Sequence, residues 1–246
     1  MNTLTAEAVA PHRKRDLSAF ADVEAWIFDL DNTLYPRSSN LFRQVDQRIR
    51  IYVAKLLNVD EAEAERIQKG FYREHGTTLR GLMLKHKVDP DEFLQFVHDI
   101  DHSVVQPDPA LGAAILRLPG KRYIFTNGSR HHADKVAERL GFPTHFENIF
   151  DIVDANLVPK PERETYDRFV ARFGIEPGRT AMFEDLARNL VVPKSVGMTT
   201  VLVVPPGTRE VFHGDWEMEG RDDVHVDFVT DDLARFVGQI ADAIGA

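Results

Sequence analysis

Trp26-Ile27-Phe28-Asp29-Leu30-Asp31-Asn32-Thr33 sets an apolar run directly before two carboxylates. Val23–Phe28 (VEAWIF) has the content of a buried strand. Open parallel α/β sheets bind ligands outside the carboxyl ends of their strands, and Asp29 and Asp31 stand at such an end. Taken alone, a polar turn closing a strand would read the same way. A calcium loop of the EF-hand type is disfavoured, because its sixth position is Leu34 rather than glycine and no helix precedes it.

Working outward, similar short runs recur at Lys121–Phe125 (KRYIF), Ile149–Val153 (IFDIV), Arg179–Phe183 (RTAMF), Thr200–Val204 (TVLVV) and Val226–Val229 (VDFV). Several are apolar on both alternating faces, as a strand covered by helices on both sides requires. Helix-like stretches lie between the later runs: His131–Leu140 closed by Gly141, Pro161–Phe173 closed by Gly174, and Asp231–Ile244 opened by Thr230. This alternation predicts an α/β fold with a doubly wound parallel sheet, a Rossmann-like core.

Residues 36–106 break the pattern. They show helical periodicity at Leu41–Leu57, Glu61–Tyr72, Thr78–His86 and Asp91–Ile100, and no strand-like run. Roughly 70 residues is several times a minimal βαβ crossover, so an all-helical cap is expected here, inserted into a core of residues 21–35 and 107–246. Pro107-Asp108-Pro109 marks the return hinge, and residues 1–20 are expected to form a flexible N-terminal arm.

Three further polar corners follow separate strand runs. Thr126-Asn127-Gly128-Ser129 offers a hydroxyl, an amide and backbone N–H groups at a helix start, a corner suited to anions. Pro159-Lys160-Pro161 holds a lysine on a stiff backbone, and Phe183-Glu184-Asp185 supplies a second acid pair. Each alone fits an ordinary turn or cap. A parallel sheet, however, carries all these strand ends to one edge, so Asp29, Asp31, Thr126, Lys160, Glu184 and Asp185 are expected to converge. Such a set suits Mg2+, which prefers oxygen ligands completed by substrate phosphate. With the charge of a phosphate neutralised by Mg2+ and Lys160, an aspartate can form an aspartyl-phosphate. Asp31 can protonate the leaving oxygen and later deprotonate water.

The composition bounds the partners. The chain has 246 residues, 43% hydrophobic and 28% charged, enough apolar material for one α/β domain with an insertion. A net charge of −9 opposes binding to nucleic-acid polymers and anionic membranes. The absence of cysteine excludes disulfides, thiolate zinc sites and cysteine nucleophiles, and fits a cytoplasmic setting. No apolar run near the start resembles a signal peptide, and none approaches the ~18–20 residues of a membrane span. A soluble cytoplasmic protein, monomer or homodimer, acting on a small-molecule phosphate ester is the expectation.

The four motifs resemble those of the haloacid dehalogenase superfamily: DLDNT is similar to its DxDxT nucleophile motif, with Thr126, Lys160 and Glu184-Asp185 similar to the second, third and fourth. The resemblance runs from about residue 23 to 236, and a helical cap between the first two motifs resembles the C1-capped class. Asp29-Leu30-Asp31-Asn32-Thr33-Leu34-Tyr35, Gly76-Thr77-Thr78-Leu79-Arg80-Gly81 and Thr126-Asn127-Gly128-Ser129-Arg130 are similar to the pyrimidine 5′-nucleotidase branch. The resemblance implies Asp29 as nucleophile and Mg2+ ligand, and Asp31 as general acid/base binding Mg2+ through its backbone carbonyl. Thr126 and Lys160, with Asn127 and Gly128, would hold the phosphate, and Glu184 and Asp185 would complete the metal site. Asn189 stands where some relatives carry a further acid.

Competing readings are a phosphatase for sugar phosphates or phosphoglycolate, and a non-catalytic regulator responsive to Mg2+ and phosphate. A dehalogenase needs no general acid, which Asp31 argues against. A phosphonate-cleaving relative would need a cap lysine, and Lys55, Lys69, Lys85 and Lys87 read as solvated. His98 and His102, spaced i, i+4, read as a satisfied pair rather than a zinc site, and His131-His132 as solvent-facing. Phe42, Tyr52, Phe71, Tyr72, Phe93 and Phe96 read mostly as cap core.

Overall fold

A computed structural model describes residues 16–205 and 224–246. The strands are β1 (Ala25–Phe28), β2 (Lys121–Phe125), β3 (Asn148–Phe150), β4 (Thr180–Glu184), β5 (Thr199–Val203) and β6 (Phe228–Thr230). All pair in parallel, in the order β3-β2-β1-β4-β5-β6. The chain winds from β1 out to β3, then returns to place β4 on the other side of β1. The carboxyl ends of β1 and β4 therefore flank the point where the winding reverses, the usual ligand crevice of such sheets.

Period-two alternation builds a core on each face. Trp26, Phe28, Ile124, Ala181, Phe183, Val201 and Val203 point to one side. There they meet α5 (Pro109–Arg117), α6 (Arg130–Leu140) and α9 (Leu233–Ile244) through Ile115, Val136 and Val237. Ala25, Ile27, Tyr123, Phe125, Met182 and Leu202 point to the other, against Tyr166 and Phe169 of α7 (Arg163–Phe173). Phe28 and Phe183 on neighbouring strands stack with ring centroids 4.6 Å apart. Each buried ring of this size contributes about 1.5–3 kcal/mol over its exposed form. A short α8 (Val191–Ser195) follows the turn after β4.

Between β1 and β2 lie α1 (Leu41–Leu57), α2 (Glu61–His75), α3 (Thr78–His86) and α4 (Pro90–Val97), with no strand. Local chemistry sets their starts: Asp60 accepts from Glu63 N, Thr77 from Arg80 N, and Asp89 from Asp91 N with Pro90 as the first helical residue. They share a third apolar cluster around Val53, Ala64, Leu82, Phe93 and Val97, against which Tyr52, Phe71 and Phe96 pack. Phe42 is instead 39% exposed.

Several boundaries differ from the expected ones for local reasons. β3 stops at Phe150 because the Asp151 carboxylate accepts from Arg130 N and Asp154 N, turning the chain out of the sheet. Thr230 ends β6 and accepts from Asp232 N, so Asp232 rather than Thr230 caps α9. α4 ends at Val97, short of His98 and His102. Residues 1–15 of the expected arm lie outside the described residues; Leu17–Phe20 is a turn of 3₁₀ helix. Phe20 is wholly buried, with its ring centroid 5.9 Å from that of Trp26 and 4.9 Å from that of Phe228. The flexible-arm reading therefore fails for this last turn. No helix among the described residues is long and apolar enough to cross a membrane.

Candidate active site

Asp29 follows β1 directly, its N–H donating to Phe183 O of β4 at 2.9 Å. That bond extends the β1–β4 ladder and turns the side chain into the crevice. The chain then coils: Leu34 N returns to Leu30 O at 3.0 Å, and Asn32 takes a φ of 60°, which asparagine tolerates better than most residues. Thr33 Oγ1 donates to Asp29 Oδ2 at 3.0 Å, and Lys160 Nζ donates to Asp29 Oδ1 at 2.7 Å. Lys160 is 1% exposed and also donates to Glu184 Oε2 at 2.7 Å and Phe125 O at 2.9 Å. One ammonium thus ties the ends of β1, β2 and β4 together with all its protons engaged.

Glu184 closes β4, and Asp185 receives Arg37 at 3.1 Å. Carboxylate oxygens of Asp29, Glu184 and Asp185 lie within 4.8 Å of one another, all three residues buried. Among the described residues, Lys160 and Arg37 pair with these three carboxylates. Burial, reinforced by Glu184 and opposed by Lys160, pushes the Asp29 carboxyl up to about 7. Burial likewise raises Glu184 to about 7 against Lys160, and Asp185 to about 6 with Asp29 adding repulsion. Burial works against the charge of Lys160, but Asp29 and Glu184 outweigh it and hold the amine above its ordinary range. Clustered hard oxygen donors with more negative charge than the side chains neutralise are a fit for a small divalent cation.

The remaining motif residues sit around this cluster. Thr126, 1% exposed, accepts from Gly128 N at 2.9 Å, which leaves its O–H to donate. The space over Gly128 Cα is bounded by Thr126 Oγ1, the His132 ring and Asp31 Oδ2. Asn127 does something other than expected. Its Oδ1 accepts from Lys160 N at 2.8 Å and its Nδ2 donates to Lys160 O at 3.2 Å. The amide therefore clamps the lysine's backbone instead of facing the anion corner.

Asp31 stands outside the three-carboxylate group. Its Oδ1 accepts from Tyr35 Oη at 2.5 Å and from His132 Nε2 at 2.8 Å. Burial alone would raise this carboxyl, but His132, Tyr35 and His98 outweigh it and bring it below the ordinary range. His132 corrects the sequence reading: it is wholly buried, while His131 is exposed. The signal was present, since residues 132, 136 and 140 share the buried stripe of α6 with Ala133 and Ala137. Arg37 was also missed, and nothing in its local sequence marks it.

His98 and His102 meet different partners. His98 Nδ1 lies 2.9 Å from Ser129 Oγ, and His102 Nε2 lies 3.0 Å from His132 Nδ1. Asn189 is buried; its backbone bonds run to Tyr166 Oη and Leu186 O, and its Oδ1 has no partner among the described residues.

Known proteins agree with this architecture. The chain is 26% identical over 197 residues to phosphate metabolism protein 8 of Saccharomyces cerevisiae, a match covering 73% of this chain and 61% of that protein. The chain thus spans 61% of the length of this curated relative. A HAD phosphatase from Thermococcus onnurineus superposes with a TM-score of 0.55 at 20% identity, covering 87% of this chain and 96% of that one. L-2-haloacid dehalogenase from Xanthobacter autotrophicus gives 0.53 at 18%, covering 87% and 97%. These likenesses show the fold, which phosphatases and dehalogenases share. The family model for haloacid dehalogenase-like hydrolases matches residues 23–197, well over half of the chain. The chain belongs to the haloacid dehalogenase-like hydrolase family.

Proposed function

We propose that this hydrolase is a magnesium-dependent phosphomonoesterase that works through an aspartyl-phosphate on Asp29, with a pyrimidine nucleoside 5′-monophosphate as its preferred substrate. The observation that carries the reaction class is Asp31. Its carboxylate is held by Tyr35 and His132 with Oδ2 turned toward the Thr126–Gly128 corner, two residues from Asp29. Displacement of a halide from carbon needs no such acid; expulsion of an alkoxide from phosphorus does. The nucleotide preference rests on the motif resemblance and is compatible with the yeast relative, a protein named for phosphate metabolism.

Asp29, Glu184 and Asp185 would hold Mg2+, with the Asp31 backbone carbonyl, and when bound the ion supplies charge neutralisation for the phosphate and the nucleophile. The free O–H of Thr126 donates to the transferring phosphate, and Lys160, its three protons kept on Asp29, Glu184 and Phe125 O, holds positive charge beside it. Lys160 and Thr33 fix the two oxygens of Asp29 and so orient it for in-line attack. An Asp29 oxygen bonds to phosphorus as the ester P–O bond breaks, and the departing oxygen takes its electron pair and the proton of Asp31. Water then gives a proton to Asp31 and attacks phosphorus, breaking the Asp29–phosphorus bond and releasing phosphate. Asp31, ionised in the free site, is the protonated acid once the ester is bound and regains its proton from the attacking water. The incoming phosphate dianion favours that form, because a like charge raises a carboxyl's affinity for its proton.

Residues 36–106 act in this reading as the cap that shapes the pocket. Their contacts to the core fall beside the site: Arg80 pairs with Glu162 at 3.0 Å, and Arg188 lies 4.3 Å over the Tyr72 ring. Phosphate release with magnesium and with chelator should be compared across nucleoside monophosphates, sugar phosphates and phosphoglycolate. Pyrimidine nucleotides are expected to lead by about tenfold or more in kcat/KM. A sugar phosphate or phosphoglycolate in first place contradicts the substrate assignment, and no magnesium-dependent turnover of any ester contradicts the enzyme.

A further inference from the structure

We infer that His132 is a positioning residue for the general acid/base Asp31, and that His102 and His98, delivered by the segment after α4, lock it in place; this rests on the phosphohydrolase reading above. Asp31 lies on a turn rather than in the sheet, so its carboxylate needs outside anchors to meet a leaving oxygen. Two anchors reach the same oxygen, Oδ1: Tyr35 Oη at 2.5 Å and His132 Nε2 at 2.8 Å. With Oδ1 engaged twice, Oδ2 is left facing Thr126 and Gly128, where the substrate's phosphate is placed. Tyr35 comes from the same turn as Asp31. His132 comes from α6 and ties Asp31 to the rigid core.

His132 is itself held on its remaining edge and on a face. Its Nδ1 is 3.0 Å from His102 Nε2, and its ring stacks on His98 with centroids 4.5 Å apart and planes 10° from parallel. The two supporting rings are fixed in turn: His102 Nδ1 donates to Ile100 O at 3.2 Å, and His98 Nδ1 meets Ser129 Oγ at 2.9 Å. Ser129 caps α6 by accepting from His132 N, so helix start, supporting ring and positioning ring form one closed unit. A histidine that only filled the core would not need an edge contact to a carboxylate at the reaction centre. The arrangement also makes the acid/base sensitive to where the segment after α4 sits, since two of its histidines complete the support.

Leaving-group chemistry separates this role from general damage. An alkyl phosphomonoester needs a proton on its departing oxygen, whereas a nitrophenyl phosphate expels a stable phenolate without one. Because kcat/KM reports the steps up to the first irreversible one, it isolates phosphoryl transfer to Asp29. His132→Leu is expected to lower kcat/KM for an alkyl phosphomonoester by about 100-fold, the scale of a misplaced catalytic group. The loss with p-nitrophenyl phosphate should stay within about fivefold, since general acid assistance there contributes little. His132→Gln, whose amide N–H can reach Asp31, should recover part of the alkyl-ester activity. If His132→Leu does not fold, His102→Ala at the half-buried outer ring should show the same selectivity with a smaller loss, about tenfold.

Equal losses on both esters, or no loss on either, overturn the positioning role. Failure of the phosphohydrolase reading looks different: wild-type protein releases phosphate from neither ester, and this inference falls with it.

Discussion

Asp29→Asn is expected to lower kcat for phosphomonoester hydrolysis by on the order of 10⁴-fold or more while leaving the chain folded. The amide keeps the shape and can still meet Thr33 and Lys160, but it is no nucleophile. The same variant carries a stability signature. In metal-free protein the Asp29 carboxyl sits at about 7, above its ordinary 3.8, because burial and Glu184 disfavour its charge. A raised folded-state value means that the native chain holds a proton the unfolded chain gives up. The stability linked to it is full below about pH 4 and is lost as the pH rises toward and through 7. Glu184 and Asp185, raised for the same reason, add to the trend. Urea midpoints in chelator should therefore fall between about pH 5 and about pH 8, and fall less in Asp29→Asn. Wild-type stability that rises over this interval would mean that the three carboxylates are not crowded as described.

Lys160→Met should show the largest loss of stability at the site. The lysine is buried, its Nζ is 2.7 Å from both Asp29 and Glu184, and it lies 5.2 Å from the Phe125 ring centroid. Methionine replaces the stem but leaves two buried carboxylates without their shared cation. Removing one partner of a buried ion pair costs about 3–5 kcal/mol. Urea unfolding in chelator reads the loss directly, and saturating magnesium should restore part of it by supplying charge to the same carboxylates. Activity should vanish with or without the ion, because the phosphate also loses its ammonium. Near wild-type stability would show that the lysine does not balance the acids.

Much of this arrangement was legible because it depends on strand ends. Asp29, Thr126 and Glu184 stand directly at the ends of apolar runs, which a parallel sheet necessarily gathers on one edge, while Lys160 comes ten residues after β3 and reaches that edge across a loop. Asp29, Lys160, Glu184 and Thr126 could be grouped without knowing the strand order, which places β4 beside β1. What escaped depends on side-chain direction. The adjacent pair His131-His132 reads as solvent-facing, yet one residue is a 100° rotation on a helix, and the stripe through Val136 and Leu140 turns His132 inward. Asn127 carries the right chemistry for an anion corner, but its amide matches the donor and acceptor of the Lys160 backbone and is used there. Arg37 reaches Asp185 across 148 positions, a contact that no local pattern encodes. Phe20 belongs to the core through Trp26 and Phe228, partners that only the folded sheet brings near.

The central claim is that Asp29 carries the phosphoryl group. Wild-type protein mixed with magnesium and a nitrophenyl phosphate, quenched in acid during turnover and treated with hydride, converts any aspartyl-phosphate to homoserine for peptide mass spectrometry. Homoserine at position 29 and at no other aspartate, absent without substrate, is the predicted result. Steady turnover with position 29 unmodified, or with the mark on another aspartate, would contradict it.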